Sequence, residues 1–141
     1  MDNHNKFFDV AKAISHLSDF KRIHIGCVIA DRRGIISTGF NTNKTHPLQK
    51  EYNIYRFRDD TSGNGKLHAE MKAILSLPKD IDTKKLVIYT YREDKFGNTR
   101  MSRPCPACMQ KIKELGIKTI CYTTEDGRCV EDISNHDEWI S

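Results

Sequence analysis

The chain has 141 residues, 30% of them charged, and a formal net charge of +4. That length suits a single domain over 1–141 with a real core, and no apolar run approaches the ~20 residues that a membrane span requires. The opening MDNHNKFFDVAKAI lacks the basic-then-apolar order of a secretory signal, so a cytoplasmic protein is expected.

The charge is unevenly spread. From Glu125 onward there are six acids against Arg128 alone, a net of −5, which leaves +9 on the first 124 residues. Such an excess suits a phosphate-bearing ligand, a nucleotide or a nucleic acid, as well as a plain solvated surface. Five cysteines are an odd number for a disulfide framework. In a reducing compartment the close pair Cys105 and Cys108 reads as a metal or redox site.

In chain order, Phe7, Val10, Ala11, Ile14 and Leu17 follow the spacing of a helix with one apolar face. HIGCVIADRRGIISTGF reads as two strands joined by a turn at Asp31 to Gly34. A long connection follows from about Asn41 to Lys66, with SGNG as a loop signal, and its length implies a task or a partner. A helix is expected over Leu67 to Leu77, ending before Pro78, and KLVIYTYR is the next strand. EDKFGNTRMS forms a projecting loop turning at Gly97 and Asn98. A helix starts near Pro104 and Cys105, with Gly116 as its C-cap. KTICYTT and RCVEDI supply two more strands around a turn at Glu125 to Arg128. The order predicts an α/β fold with a mixed five-stranded sheet and helices on its faces.

Two short stretches carry chemistry: LHAEMKAIL and RPCPAC. Residues three apart share one face of a helix, so Cys105 and Cys108 approach each other there. A helix N-terminus favours thiolate, the metal-binding form. His68 at a neighbouring helix start can add a nitrogen, and three protein ligands leave the fourth tetrahedral position of zinc open, the catalytic arrangement. Glu70 lies beside His68 as a proton carrier without ligating the metal. Pro104 and Pro106 argue against a thioredoxin-type pair, and Cys27, Cys121 and Cys129 read as core residues. His4, His16, His24 and His136 read as surface or helix-face residues. His46, in NKTHP, stands as an accessory ligand or substrate contact.

H-x-E…P-C-x-x-C is the signature of zinc-dependent nucleobase deaminases. The chain resembles the cytidine and deoxycytidylate deaminase superfamily along nearly its whole length: the leading helix, the hairpin ending in TGFN, HAEMKAIL and RPCPACMQKIKELGIK. The resemblance implies that fold, in three layers with an antiparallel last strand. It implies a Zn2+ ion held by His68, Cys105 and Cys108, with Glu70 carrying the proton. By the same resemblance the Ala69 amide faces the base carbonyl, the Arg103 carbonyl faces the exocyclic amine, and Asn41 lies against the sugar. HAEMKAIL is most similar to the deoxycytidylate branch, apart from Lys72 where asparagine is usual. The ten or so residues before RPCPAC are closer to the free-nucleoside enzymes.

Deamination of a free cytosine nucleotide or nucleoside, by a homo-oligomer, is therefore expected. Lys44, Lys50, Arg56, Arg58, Lys66, Arg100 and Arg103 are its candidate phosphate partners. Two alternatives stand beside it. One is a deaminase of cytosine or adenine in single-stranded nucleic acid, with YNIYRFR as a stacking platform. The other is a non-catalytic zinc-binding interaction domain.

Overall fold

The computed structural model describes residues 3–19, 23–53 and 66–134. Its elements are α1 (Asn3–Ser15), β1 (Ile25–Asp31), β2 (Gly34–Phe40), α2 (Pro47–Tyr52), α3 (Ala69–Leu75), β3 (Val87–Arg92), α4 (Pro106–Glu114), β4 (Thr119–Thr124) and β5 (Gly127–Asp132). The strands form one sheet in the order β2-β1-β3-β4-β5. Among the described strands only β3 and β4 pair in parallel, and β5 returns antiparallel to β4. This is the mixed α/β sheet expected from the sequence.

Strand alternation divides the core in two. Cys27 and Ile29 of β1 face α3 and α4, in a cluster with Ile88, Ile112 and Ile120. Val28 and Ala30 face the other way, with Phe8 and Ala11 of α1 and with Tyr89, Tyr91 and Cys121. The sheet is thus covered on both faces, which explains the unbroken burial across the centre of β1.

Two glycines set how closely the helices lie. A Cβ on Gly26 would stand 2.0 Å from the Ala11 carbonyl oxygen of α1. One on Gly39 would stand 2.5 Å from both the Ala69 oxygen and the Ala73 nitrogen of α3. The backbones of α1 and α3 therefore rest directly on opposite faces of the β1–β2 hairpin.

Several expectations are corrected. α1 ends at Ser15, so Leu17 falls beyond it and is 60% exposed, while Phe8, outside the proposed stripe, is 1% exposed. The connection after Asn41 is not a bare loop: it contains α2, and Thr45 bridges Lys66. α4 starts at Pro106, with Cys105 as its N-cap, so Pro106 rather than Pro104 takes the early position where a missing N–H costs nothing. Gly116, at φ 82°, ends α4 as expected. SGNG and residues 54–58 of YNIYRFR lie outside the described residues.

Gly39→Ala forces α3 off the sheet, because the clash is with backbone that cannot rotate away. A loss of about 1–3 kcal/mol in unfolding free energy is expected, measured by urea denaturation.

Candidate metal centre

The parallel β3–β4 pair requires a crossover, and α4 supplies it, so its N-terminus lies beyond the C-terminal end of β3. α3 leads into β3 and begins at the same end. His68 is the N-cap of α3 and Cys105 the N-cap of α4, and neither side chain caps its own helix. Both are turned toward one point between the two helix starts.

There His68 Nδ1 lies 3.6 Å from Cys105 Sγ and 3.4 Å from Cys108 Sγ, and the three donor atoms all fall within 4.8 Å of one another. A tetrahedral zinc with bonds of ~2.3 Å to sulfur and ~2.0–2.1 Å to nitrogen separates those two donors by about 3.6 Å. The donor set fits zinc in both chemistry and spacing. The Cys105 thiol is held well below its ordinary range by the hydrogen bond from Cys108, with His68 adding to the effect. Cys108, fully buried, is raised by that same hydrogen bond and by burial.

Glu70, in the first turn of α3, is only 4% exposed. Burial pushes its carboxyl up to about 7, while the charge of His68 pulls in the opposite direction. Cys27 lies close enough for the Glu70 charge to raise it further, after the larger effect of its own burial. The site thus combines a thiolate-bearing donor set with a carboxyl that changes protonation near neutrality.

Residues that motif reading passed over hold this arrangement. Gln49 of α2, fully buried, accepts the His68 backbone N–H at 3.1 Å through Oε1. Tyr52, Leu48 and Leu67 pack with Met71, Ala107 and Cys108, so α2 closes the outer side of the centre. Thr90, Ser102 and Thr123 form a buried hydroxyl cluster. Thr90 Oγ1 donates to the Ser102 carbonyl at 2.7 Å, Thr123 Oγ1 donates to the Arg100 carbonyl at 2.6 Å, and Ser102 Oγ accepts the Thr123 N–H at 2.8 Å. The cluster pins the segment that leads through Ser102 to Arg103, Pro104 and Cys105 against β3 and β4. Short polar residues on a strand carry no periodic signal, so only the fold brings these three together.

The other candidates are distributed as follows. Ala69 opens α3, where a first-turn amide has no intrahelical acceptor. Asn41 is buried, and its amide serves the backbone: Oδ1 accepts from Ile25 N–H at 2.9 Å and Nδ2 donates to the Ile23 carbonyl at 2.8 Å. The Arg103 guanidinium holds Glu131 of β5 through Nε at 2.9 Å and Nη2 at 3.0 Å, and Tyr122 donates to the same carboxylate. Arg100 pairs with Asp94 at 2.8 Å and Glu125 at 3.6 Å. His46 is spent as a cap, its Nδ1 accepting from Leu48 N–H at 3.0 Å. Tyr52, offered as a stacking face, is 8% exposed and donates its hydroxyl to Glu114.

This is the donor arrangement of a zinc-dependent deaminase, and comparison with known proteins agrees. The cytidine and deoxycytidylate deaminase zinc-binding region matches residues 1–124, so the chain belongs to that family. Among solved structures it is similar to cytidine deaminase from Burkholderia pseudomallei, with a TM-score of 0.64 and 19% identity over 94% of this chain and 93% of that one. It is also similar to apo dCMP deaminase from the cyanophage S-TIM5, with a TM-score of 0.63 and 20% identity over 88% and 86%. The same cyanophage enzyme in complex with dCMP and dUMP gives a TM-score of 0.60 at 20% identity, over 88% of this chain and 84% of that one. No curated protein sequence matches the chain significantly.

Zinc binding should appear as stability. Free zinc at 100 times its Kd is expected to raise the unfolding free energy by about 2.7 kcal/mol over the zinc-free protein. Cys105→Ala should abolish that increment, read from paired denaturation curves with zinc and with chelator.

Proposed function

We propose that the protein is a hydrolytic deaminase converting cytosine to uracil in a free nucleotide or nucleoside. The observation that carries this is a buried, protonatable Glu70 two residues after the His68 of a zinc-spaced His–Cys–Cys set. A purely structural zinc site has no use for a buried carboxyl there, and three donors leave one position for a reacting water. Zinc, when bound, supplies the acidity that makes water nucleophilic near neutral pH.

The chain's own residues do the rest. Glu70 takes one proton from the attacking water and delivers it to the ring nitrogen, where it stays, then takes the remaining hydroxyl proton and delivers it to the amine, which departs as ammonia as the new carbonyl forms. In the zinc-free protein burial raises its carboxyl to about 7, so both of its protonation states lie within reach near neutral pH. On this reading the Ala69 N–H, in the first turn of α3, donates to the base carbonyl. The Arg103 carbonyl, next to Pro104 and Cys105, accepts from the exocyclic amine. Asn41 orients the sugar from the end of β2, which requires its amide to exchange at least one of its two backbone partners.

Family membership and the cytidine and dCMP deaminases among the structural neighbours support a small cytosine substrate. The burial of Tyr52 removes one aromatic face from the polynucleotide alternative. Lys44 and Lys50, exposed and without an ion pair among the described residues, are the phosphate partners this reading favours. Arg100 and Arg103 already hold carboxylates.

The test is a product assay on zinc-loaded protein offered dCMP, CMP, cytidine, guanine and a cytosine-containing single-stranded DNA. Uracil formation from a free nucleotide or nucleoside is expected, and conversion confined to the DNA would overturn the proposal. Glu70→Ala should retain zinc and lose about 10²–10⁴-fold in kcat.

A further inference from the structure

Gln49 is a residue with no motif to recommend it, on a helix that the sequence hid inside a loop. Its side chain is nevertheless fully buried beside the centre, and both ends of its amide are bonded. Oε1 accepts from the His68 backbone N–H at 3.1 Å, and Nε2 donates to Asn53 Oδ1 at 2.9 Å. We infer that Gln49 is a positioning residue for the metal, fixing the backbone from which the His68 imidazole reaches the two sulfurs. The inference rests on the reading of His68 as a zinc ligand.

The geometry explains why such a residue is needed. His68 is an N-cap in extended conformation, with φ −78° and ψ 158°. Its carbonyl already belongs to α3, where it accepts from Lys72 N–H at 3.0 Å. Its N–H belongs to no helix and no strand, and it points into a buried region where an unmade hydrogen bond is costly. Gln49 satisfies it. With the carbonyl held on one side and the N–H on the other, the peptide frame of His68 cannot pivot, and only the side-chain torsions remain to direct Nδ1.

The acceptor is itself held from several sides. His46 caps the start of α2, Tyr52 bonds Glu114 of α4, and Lys111 lies 5.5 Å over the Tyr52 ring. The incoming strand is paired as well: Thr42 N–H donates to the Leu67 carbonyl at 3.0 Å, and Leu67 N–H donates to the Lys44 carbonyl at 2.9 Å. α2 therefore touches both helices that carry donors, α3 through Gln49 and α4 through Tyr52. Partners that orient a ligand in this way are worth about 10–100-fold in metal affinity.

Zinc affinity of the full chain, measured by competition with a chromophoric chelator, tests this without reference to turnover. Gln49→Leu is expected to weaken zinc by about 10–100-fold. Gln49→Asn, which withdraws the oxygen by one methylene while keeping the site polar, should weaken it less and serves if the leucine variant does not fold. Tyr52→Phe removes the α2–α4 hydrogen bond but leaves Gln49 in place, and should hold affinity within about threefold of the parent. Unchanged zinc affinity in both Gln49 variants would overturn the inference, as would equal weakening by Tyr52→Phe, which would mark a general packing role. His68→Ala separates the two levels. If it keeps zinc, the ligand assignment itself fails. If it loses zinc while the Gln49 variants do not, only the role of Gln49 falls.

Discussion

Because β3 and β4 run parallel, the chain between them must travel back along the sheet before it can pair. Everything at the metal centre follows from that requirement. The return is made by α4, whose first residues are therefore set down beyond the end of β3, where α3 also begins. Two helix N-termini then face each other, each with unpaired amides and the positive end of its dipole. Thiolate is favoured at such a place, and a single His or Cys at each N-cap can turn inward because its capping duty is given up. An antiparallel β4 would have allowed a short hairpin and left Cys105 far from His68.

The centre is half enclosed: α2 packs against Cys105 and Cys108, which with His68 are partly to fully buried, and Glu70 is only 4% exposed. Its rise from 4.5 to about 7 is the signature of that enclosure. In the zinc-free protein this corresponds to a penalty of about 3 kcal/mol, absent at acid pH, growing as pH passes the unfolded value and complete above the folded one. A divalent cation beside the carboxylate reverses the sign of its surroundings. Metal binding and ionisation of Glu70 are thus linked, and the destabilised carboxyl belongs with the metal rather than with the bare fold.

What could be read in advance had a short-range signature. His68 and Glu70 are two residues apart, Cys105 and Cys108 three apart, and the strands carry runs of β-branched residues, so the donor set and the mixed sheet were visible before any coordinates. The supporting residues have no such signature. Gln49 reads as one polar residue in a loop because α2 has only six residues and its apolar contacts are made with other elements. Gly26 and Gly39 look like ordinary strand glycines until the helix backbones against them are seen. Leu17 fitted the helical period but lies beyond the last turn of α1, and periodicity cannot say where a helix stops. Nor does a sequence show that Arg100 is paired with Asp94 of its own loop and with Glu125, or Arg103 with Glu131 of β5.

That last point narrows where the basic excess can act. Arg103 meets Glu131 through two parallel hydrogen bonds at a site only partly open to water, with Tyr122 as a third contact on the carboxylate. An incoming phosphate would have to displace a planar, two-point pair of the kind guanidinium forms best. Its only gain would be to replace one anion with another. Arg100 is divided between Asp94 and Glu125 in the same way. The acidic residues after position 124 therefore do more than lower the net charge. Two of them, Glu125 and Glu131, neutralise the arginines nearest the Cys105 strand and leave that side of the centre close to balanced. Lys44, just before α2, and Lys50, within it, are exposed and have no ion pair among the described residues. On the proposed reading, these two lysines rather than Arg100 and Arg103 are the cations left for an anionic part of the substrate.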